Sequence, residues 1–352
     1  MTLDWPRDWP SLAERFAWIR AMDGCPQDAI HHAEGDVGTH VRMVLDAFDA
    51  SPEADNELLR VAVLLHDVAK PECTRHEPDG RISSRGHSAR GAIQARRILW
   101  EEGADPHERE QVCALIRHHQ VPFHLIDRPN AARRLRLMSQ STRCDWLQAL
   151  ARADGQGRRC HYQASILEKV ALFGELCREH GCEHEPWPFA SPLSRFEYAR
   201  HEHRDPHYAA HDQSRCEVIL LCGLPAAGKD TWIRNHAADL PVVSLDDLRD
   251  ELDGEGAVVQ AARALARQHL REHQSFIWNA TNLRRERRAQ LVDLFSGYHA
   301  STRIVYIEAP ATELFTRNRE RERPVPEAAL QRMLDHWDVP APEEAPAVEW
   351  HL

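Results

Sequence analysis

The stretch that most constrains the fold is CEVILLCGLPAAGKDT, residues 216–231. An apolar run from Val218 to Cys222 meets Gly223-x4-Gly228-Lys229, and a helical segment follows. Strand, glycine-rich turn and helix N-terminus in that order make a phosphate-cradling loop. The glycines let backbone N–H groups close on phosphate oxygens, and the lysine neutralises the β/γ oxygens. Lysine usage sharpens the reading. Of 44 Lys+Arg, only Lys70, Lys169 and Lys229 are lysines; a chain that otherwise uses arginine keeps a compact point charge here. Gly223, Gly228, Lys229, Asp230 and Thr231 are therefore candidate contacts for ATP or another NTP with Mg2+.

A chain of 352 residues predicts two domains, each large enough for its own core. No apolar run approaches the roughly 18 residues of a membrane span, and the N-terminus lacks the basic-then-apolar pattern of a signal peptide. Nine cysteines without a C-x2-C pair predict reduced thiols and a cytoplasmic location. At a net charge of −11, any nucleic-acid contact has to be a local patch. The 23 histidines are in excess and have a pattern.

In the N-terminal half, residues 11–23 predict a helix. Val37, Val41, Val44, Leu45 and Phe48 then recur at three- and four-residue spacing, with His40 on the same face. NELLRVAVLLHDVAK ends its apolar face on His66-Asp67, and His87 opens RGHSARGAIQARRILWEEG. REQVCALIRHHQ carries His118 and His119, and DWLQALARAD ends at Asp154. No strand signal interrupts these helices. Imidazoles and carboxylates at the inward ends of separate helices must be paired or metal-bound. Mixed ligands of this kind suit a divalent transition ion such as Mn, Fe, Co, Ni, Cu or Zn. His31, His32, Glu34 and Asp36 read as loop residues or outer support for the first ligand.

The order H…HD…H…HH…D, with the blocks VAVLLHDVAK, RGHSARGA and LARAD, resembles the HD phosphohydrolase superfamily over roughly residues 30–160. The resemblance implies that His40, His66, Asp67 and Asp154 hold one metal. Asp67 then bridges to a second, held by His87, His118 and His119. Metal-dependent phosphoester hydrolysis follows, with Asp67 at its centre. Lys70, one turn beyond the doublet, either contacts a phosphate oxygen or caps a helix.

Residues 164–180 predict one more amphipathic helix. Residues 181–214, with Pro186, Pro188, Pro192 and Pro206 among aromatics and histidines, read as a linker or a lid-like insertion. From 216 the pattern alternates. Strands are predicted at 217–222, 241–244, 275–279 and 303–308, and helices near 229–237, 246–251, 257–273, 283–296, 311–322 and 326–337. That is a three-layer α/β domain on a mainly parallel sheet, with ligands beyond the strands' C-terminal ends.

Asp230 fills the Ser/Thr slot of the loop, with Thr231 one place late, as in adenylate-kinase-like loops. Asp246 and Arg249 open a helix three residues apart and share a face. That spacing suits a general base for a hydroxyl and a cation for its phosphate. Arg317 and Arg321, four apart, resemble an arginine lid over a triphosphate. Asn279 stands where many such enzymes hold magnesium through an acid, so the magnesium is assigned to water and Thr231.

G-x4-GK, D-D-x-R, N-A-T-N and R-N-x-x-R together resemble the phage-type 5′-OH polynucleotide kinases over most of residues 216–337. The resemblance implies that Asp246 is the base and Arg249 the grip on the acceptor phosphate, with Lys229, Arg317 and Arg321 at the β/γ-phosphates. An HD domain (1–180), a linker (181–214) and such a kinase (215–352) resemble the bacterial HD-domain polynucleotide kinases. That resemblance implies end healing of broken RNA or DNA, by removal of 2′,3′-cyclic or terminal phosphate and phosphorylation of the 5′-hydroxyl, in functional link with a ligase. Arginine clusters (Arg284, Arg285, Arg287, Arg288; Arg133, Arg134, Arg136; Arg158, Arg159) are candidate backbone contacts. An HD nucleotidase fused to a small-molecule kinase, and an ATP-switched binding module without turnover, are the competing readings. The oligomeric state stays open, an oligomer included.

Overall fold

The computed structural model describes residues 3–352, and the chain divides into two compact units between Trp187 and Pro188. The first unit is helical. Asp36 caps helix Val37–Asp49 by accepting from the Thr39 N–H at 2.7 Å, and Asn56 caps Glu57–Leu65 in the same way from Leu59 at 3.1 Å. Around them run helices His87–Glu101, Pro106–His118, Cys144–Gln156 and Gln163–Glu179. Val37, Val41, Val44 and Phe48 are fully buried, and His40 on the same face is buried with them.

Three details depart from the sequence reading. The helix expected over 11–23 breaks into Trp9–Arg15 and Ala17–Met22, because Phe16 adopts an extended conformation and is itself buried. The polar loop before His87 holds a two-residue antiparallel hairpin, β1 (Arg75–His76) with β2 (Ile82–Ser83). A further helix, Ala131–Met138, buries Leu135 and Met138.

The second unit is a parallel sheet of five strands in the order β4–β5–β3–β6–β7. These are β3 (Cys216–Cys222), β4 (Val242–Ser244), β5 (Phe276–Asn279), β6 (Ala300–Ile307) and β7 (Ala347–His351). Central β3 is buried from Val218 to Cys222, as its unbroken apolar run requires. Edge strand β7 was not expected. All five of its residues are only half-buried, so it lacks the apolar run that marked its neighbours. Part of the stretch expected as a linker belongs to this unit. Ser191 caps helix Pro192–Arg200, accepting from the Ser194 N–H at 3.0 Å, and Phe196 and Tyr198 are buried.

Candidate metal centre and nucleotide site

In the first unit, helix ends carry His40, His66, Asp67, His87, His119 and Asp154 to one buried point, each less than a tenth exposed. Three of the histidines share a device. Nδ1 of His66, His87 and His119 lies 2.7 Å from the carbonyl oxygen three residues earlier, of Val63, Ser84 and Ile116. A carbonyl only accepts, so Nδ1 carries the proton and Nε2 presents its lone pair. Those lone pairs converge on Asp67. His66 Nε2 is 3.3 Å from Oδ2, and His87 and His119 are 3.3 and 3.8 Å from Oδ1.

The donor set fits divalent metal. His87 Nε2 and His119 Nε2 stand 3.3 Å apart with no proton of their own to share. Burial, with His87 and His66 adding to it, draws His119 down to about 3, so His119 itself takes no proton at neutral pH. Nε2 of His40 and His66 and Oδ1 of Asp67 are buried without a hydrogen-bond partner. Ligand atoms of His40, His66 and Asp67, and separately of Asp67, His87 and His119, fall within 4.8 Å of one another. Both groups share Asp67, so a divalent ion could be held on either side of its carboxylate.

Cations hold the carboxylates ionised. Lys70 Nζ reaches Asp67 Oδ2 at 2.7 Å and Gln27 Oε1 at 2.6 Å. Burial pushes Asp67 up, but Lys70 and His66 keep it well below the usual carboxylate range. Arg158 Nη2 reaches Asp154 Oδ1 at 2.7 Å and does the same for Asp154 against its burial. His40 Nε2 lies 3.2 Å from that same oxygen.

Lys70 begins a one-turn helix, Lys70–Cys73, and spends its ammonium on Asp67 rather than on a helix end. Arg158, read from the sequence as a backbone contact, is turned inward. It lies just past the end of helix Cys144–Gln156, four residues beyond Asp154, and that close spacing was the signal for the pairing. His118 is half-buried and lies outside the two ligand groups. Glu34 is more involved than outer loop support implies: Oε1 lies 2.7 Å from His32 Nδ1 and 2.9 Å from His40 Nδ1, and Oε2 accepts from the Arg159 N–H at 2.8 Å. Asp36 is a helix cap.

In the second unit, the loop after β3 runs into helix Lys229–His236. Gly223 has φ 153°, and a Cβ there would meet Ile307 O at 2.3 Å, so only glycine lets the loop pass under β6. Gly228, at φ 112°, starts the helix. Lys229 Nζ donates to the carbonyls of Gly223 (3.1 Å) and Leu224 (2.9 Å) across the loop. Removal from water lowers its pKa, while Asp230 and Asp246 pull it upward and Arg321 adds to the fall. Arg317 Nη1 would be 3.9 Å from a Cβ at Gly228. Lys229, Asp230, Asp246, Arg317 and Arg321 thus share one neighbourhood.

Asp246, Arg249 and Arg317 rest in surface ion pairs. Asp246 pairs with Arg249, which also meets Glu255 Oε1 at 2.9 Å, and Arg317 pairs with Glu313. Beyond Arg249 a cavity of about 460 Å³ is lined by Arg249, Arg263, Arg284, Arg287 and Arg332 beside Trp278, with Glu255 and Asp335 as its carboxylates. Arg263 and Arg332 were not singled out by the sequence reading. Arg288, which was, is fully buried against Glu344 at 2.7 Å and the carbonyls of Asn282, Leu283 and Asp338. Among the described residues all nine cysteines are free thiols and no helix is long and apolar enough to cross a membrane.

Comparison with known proteins finds a family match in each unit. The HD-domain family model matches residues 35–150, and a family described as AAA domain matches residues 218–340. The chain therefore joins an HD domain to a P-loop, kinase-like domain. Among curated proteins, the multifunctional CCA protein of Halorhodospira halophila is 42% identical over 95 residues, 25% of this chain and 20% of the relative. The protein of that name from Nitrosomonas eutropha is 31% identical over 189 residues, 54% of this chain and 41% of its own length. The A-adding tRNA nucleotidyltransferase of Deinococcus radiodurans is 36% identical over 105 residues, 29% and 24%. The chain spans less than half the length of these relatives.

Proposed function

We propose that the chain is a two-site enzyme that repairs nucleic-acid ends: a metal-dependent phosphoesterase for 2′,3′-cyclic and terminal 2′ or 3′ phosphates, and an NTP-dependent 5′-hydroxyl kinase. The observation that carries the first half is the convergence of buried imidazole lone pairs on Asp67. His40, His66, Asp67 and Asp154 would hold one divalent ion, and Asp67, His87 and His119 a second. Such a pair supplies Lewis-acid polarisation of a phosphoester and an activated water. The protein's own share is to fix the tautomers of His66, His87 and His119 through backbone carbonyls, to set the Glu34 carboxylate against His40, and to keep both aspartates ionised through Lys70 and Arg158. Those two cations also favour an anionic substrate at the same place.

For the kinase, Asp246 takes the proton of the acceptor hydroxyl and Arg249 exchanges its carboxylate partners for the acceptor's phosphate. Lys229, Arg317 and Arg321 neutralise charge on the transferring phosphate. The five-arginine cavity beyond Arg249 favours a polyanionic acceptor over a nucleoside. That one relative is a tRNA nucleotidyltransferase by name supports an RNA end as substrate for the first unit. Ends restored in this way are ready for a ligase.

The test follows both ends of an RNA bearing a 5′-hydroxyl and a 2′,3′-cyclic phosphate, incubated with the protein, ATP and a divalent metal. Loss of the cyclic phosphate and gain of 5′ label are expected. Label that goes only to free nucleosides would establish the small-molecule kinase instead, and no turnover of any phosphoester would leave a binding module.

A further inference from the structure

In phosphate-cradling loops the residue after the lysine is Ser or Thr, whose hydroxyl meets magnesium, and an acid at the end of a nearby strand completes the metal's protein contacts. Here both places are altered. Asp230 stands in the hydroxyl's slot, and β5, which pairs directly with β3, ends in the neutral Asn279. The structure brings the two together: Asn279 Nδ2 donates to Asp230 Oδ1 at 3.0 Å. The acid is not lost from the site; it has moved across one hydrogen bond, from the strand end to the loop.

A carboxylate in the first helical turn beside a bound triphosphate repels the phosphates unless a cation lies between them. The hard, oxygen-seeking Mg2+ that accompanies such nucleotides is bound through one or two carboxylates plus phosphate oxygens. Thr231, the other oxygen at this point, is exposed and its Oγ1 accepts from Arg234 Nη2 at 3.0 Å, so it already faces a cation. We infer that Asp230 is the protein's carboxylate for the nucleotide's magnesium, and that Asn279 positions it by holding Oδ1 and leaving Oδ2 outside that bond. The assignment of magnesium to water and Thr231 is replaced by this one. It rests on reading the second unit as a nucleotide-binding kinase.

The exchange has a measurable consequence. Metal and nucleotide affinities are linked, and Asp230 should strengthen the link from both directions. The affinity of the full-length protein for a fluorescent ATP analogue is measured with magnesium and with EDTA, in wild type, Asp230→Asn, and the double variant Asp230→Ser with Asn279→Asp. Asp230→Asn should bind the metal-free nucleotide more tightly than wild type and lose about tenfold of the magnesium enhancement. The double variant, which returns the acid to the strand end, should recover most of that enhancement. An enhancement unchanged in Asp230→Asn, or one not recovered by the double variant, overturns the inference. A wild type that binds no nucleotide at all sinks the kinase reading and this inference with it, whereas nucleotide binding without transfer to an oligonucleotide touches only the choice of acceptor.

Discussion

The two sites are built on opposite plans. Every residue grouped around Asp67 is buried, and the imidazoles of His66, His87 and His119 are each fixed by a backbone carbonyl while His40 faces the Glu34 carboxylate. In the second unit the Asp246 side chain is 77% exposed and that of Arg249 42%, and each is held only by a neighbouring opposite charge. Exposed pairs of that kind contribute little and exchange readily. The difference teaches what each site has prepared in advance. The first holds its polar groups in fixed places out of water, where low dielectric strengthens every contact. The second leaves its charged groups in water, in pairs that other charges can displace.

The sharpest way to break the comparison is Asp67→Ala. Phosphoesterase activity should fall by about a thousandfold or more, on the scale of a lost electrostatic stabiliser, and bound metal measured by elemental analysis should fall with it. Kinase activity of the same preparation should be unchanged; phosphoesterase at wild-type rate would mean that the site is misassigned. Asp246→Asn is the counterpart. Transfer to a 5′-hydroxyl should drop by about 10²–10⁴-fold, the range for a general base, while nucleotide affinity by fluorescence titration stays put.

A smaller effect separates fixed tautomers from mere burial. Glu34→Gln keeps the volume beside His40 but removes the carboxylate that faces its Nδ1. Metal affinity in a competition titration should weaken about 10–100-fold, as for other outer partners of ligating histidines, with little change in melting temperature. An unchanged affinity would make Glu34 a packing residue.

The smallest effect concerns acid. Burial draws both His32 and His119 from 6.5 to about 3. Between those values the unfolded chain binds protons that the folded unit refuses, so stability is lost as pH falls through that window. Asp67 and Asp154, held below their ordinary values, add loss in the same direction at lower pH. His66 opposes it: burial lowers its pKa, but Asp67, Asp154 and the Val63 carbonyl together raise it above the ordinary value, so its contribution declines as pH rises. The melting temperature of metal-free protein should therefore fall from about pH 7 to about pH 5, and chelator-treated samples followed by circular dichroism would reveal a flat profile if the imidazoles were solvated.

Much of this was legible in the chain. A strand, G-x4-GK and a helix could only be one local structure, and the apolar faces ending in His40, His66-Asp67 and Asp154 pointed those side chains inward. Adjacent histidines were not resolvable in the same way. His118 and His119 close one helix, where consecutive residues point in directions about 100° apart, and it is His119 that groups with Asp67. The linker reading of 181–214 overlooked Ser191-Pro192, a cap followed by proline at the first helical position, which is a start signal even where the helix has little apolar periodicity. Arg288 and Arg158 read as candidate nucleic-acid contacts because a row of arginines reads alike whichever way each one turns.

By itself, the sequence determined local conformation and the kind of chemistry: which segments are helices or strands, where phosphate is cradled, and that imidazole meets carboxylate. Those follow from periodicity, glycine placement and residue type, all of which act over a few neighbours. Only the tertiary structure decided the partners. Lys70 belongs to Asp67, Arg158 to Asp154, Glu34 to His40 and Asn279 to Asp230. Lys70 and Arg158 lie three and four residues from their aspartates, Glu34 six from His40, and Asn279 forty-nine from Asp230. For the first three pairs, whether the partners meet depends on which groups the packed helices remove from water together, since a buried charge must find its partner there; Asn279 and Asp230 meet at the surface because β5 lies beside β3 in the sheet.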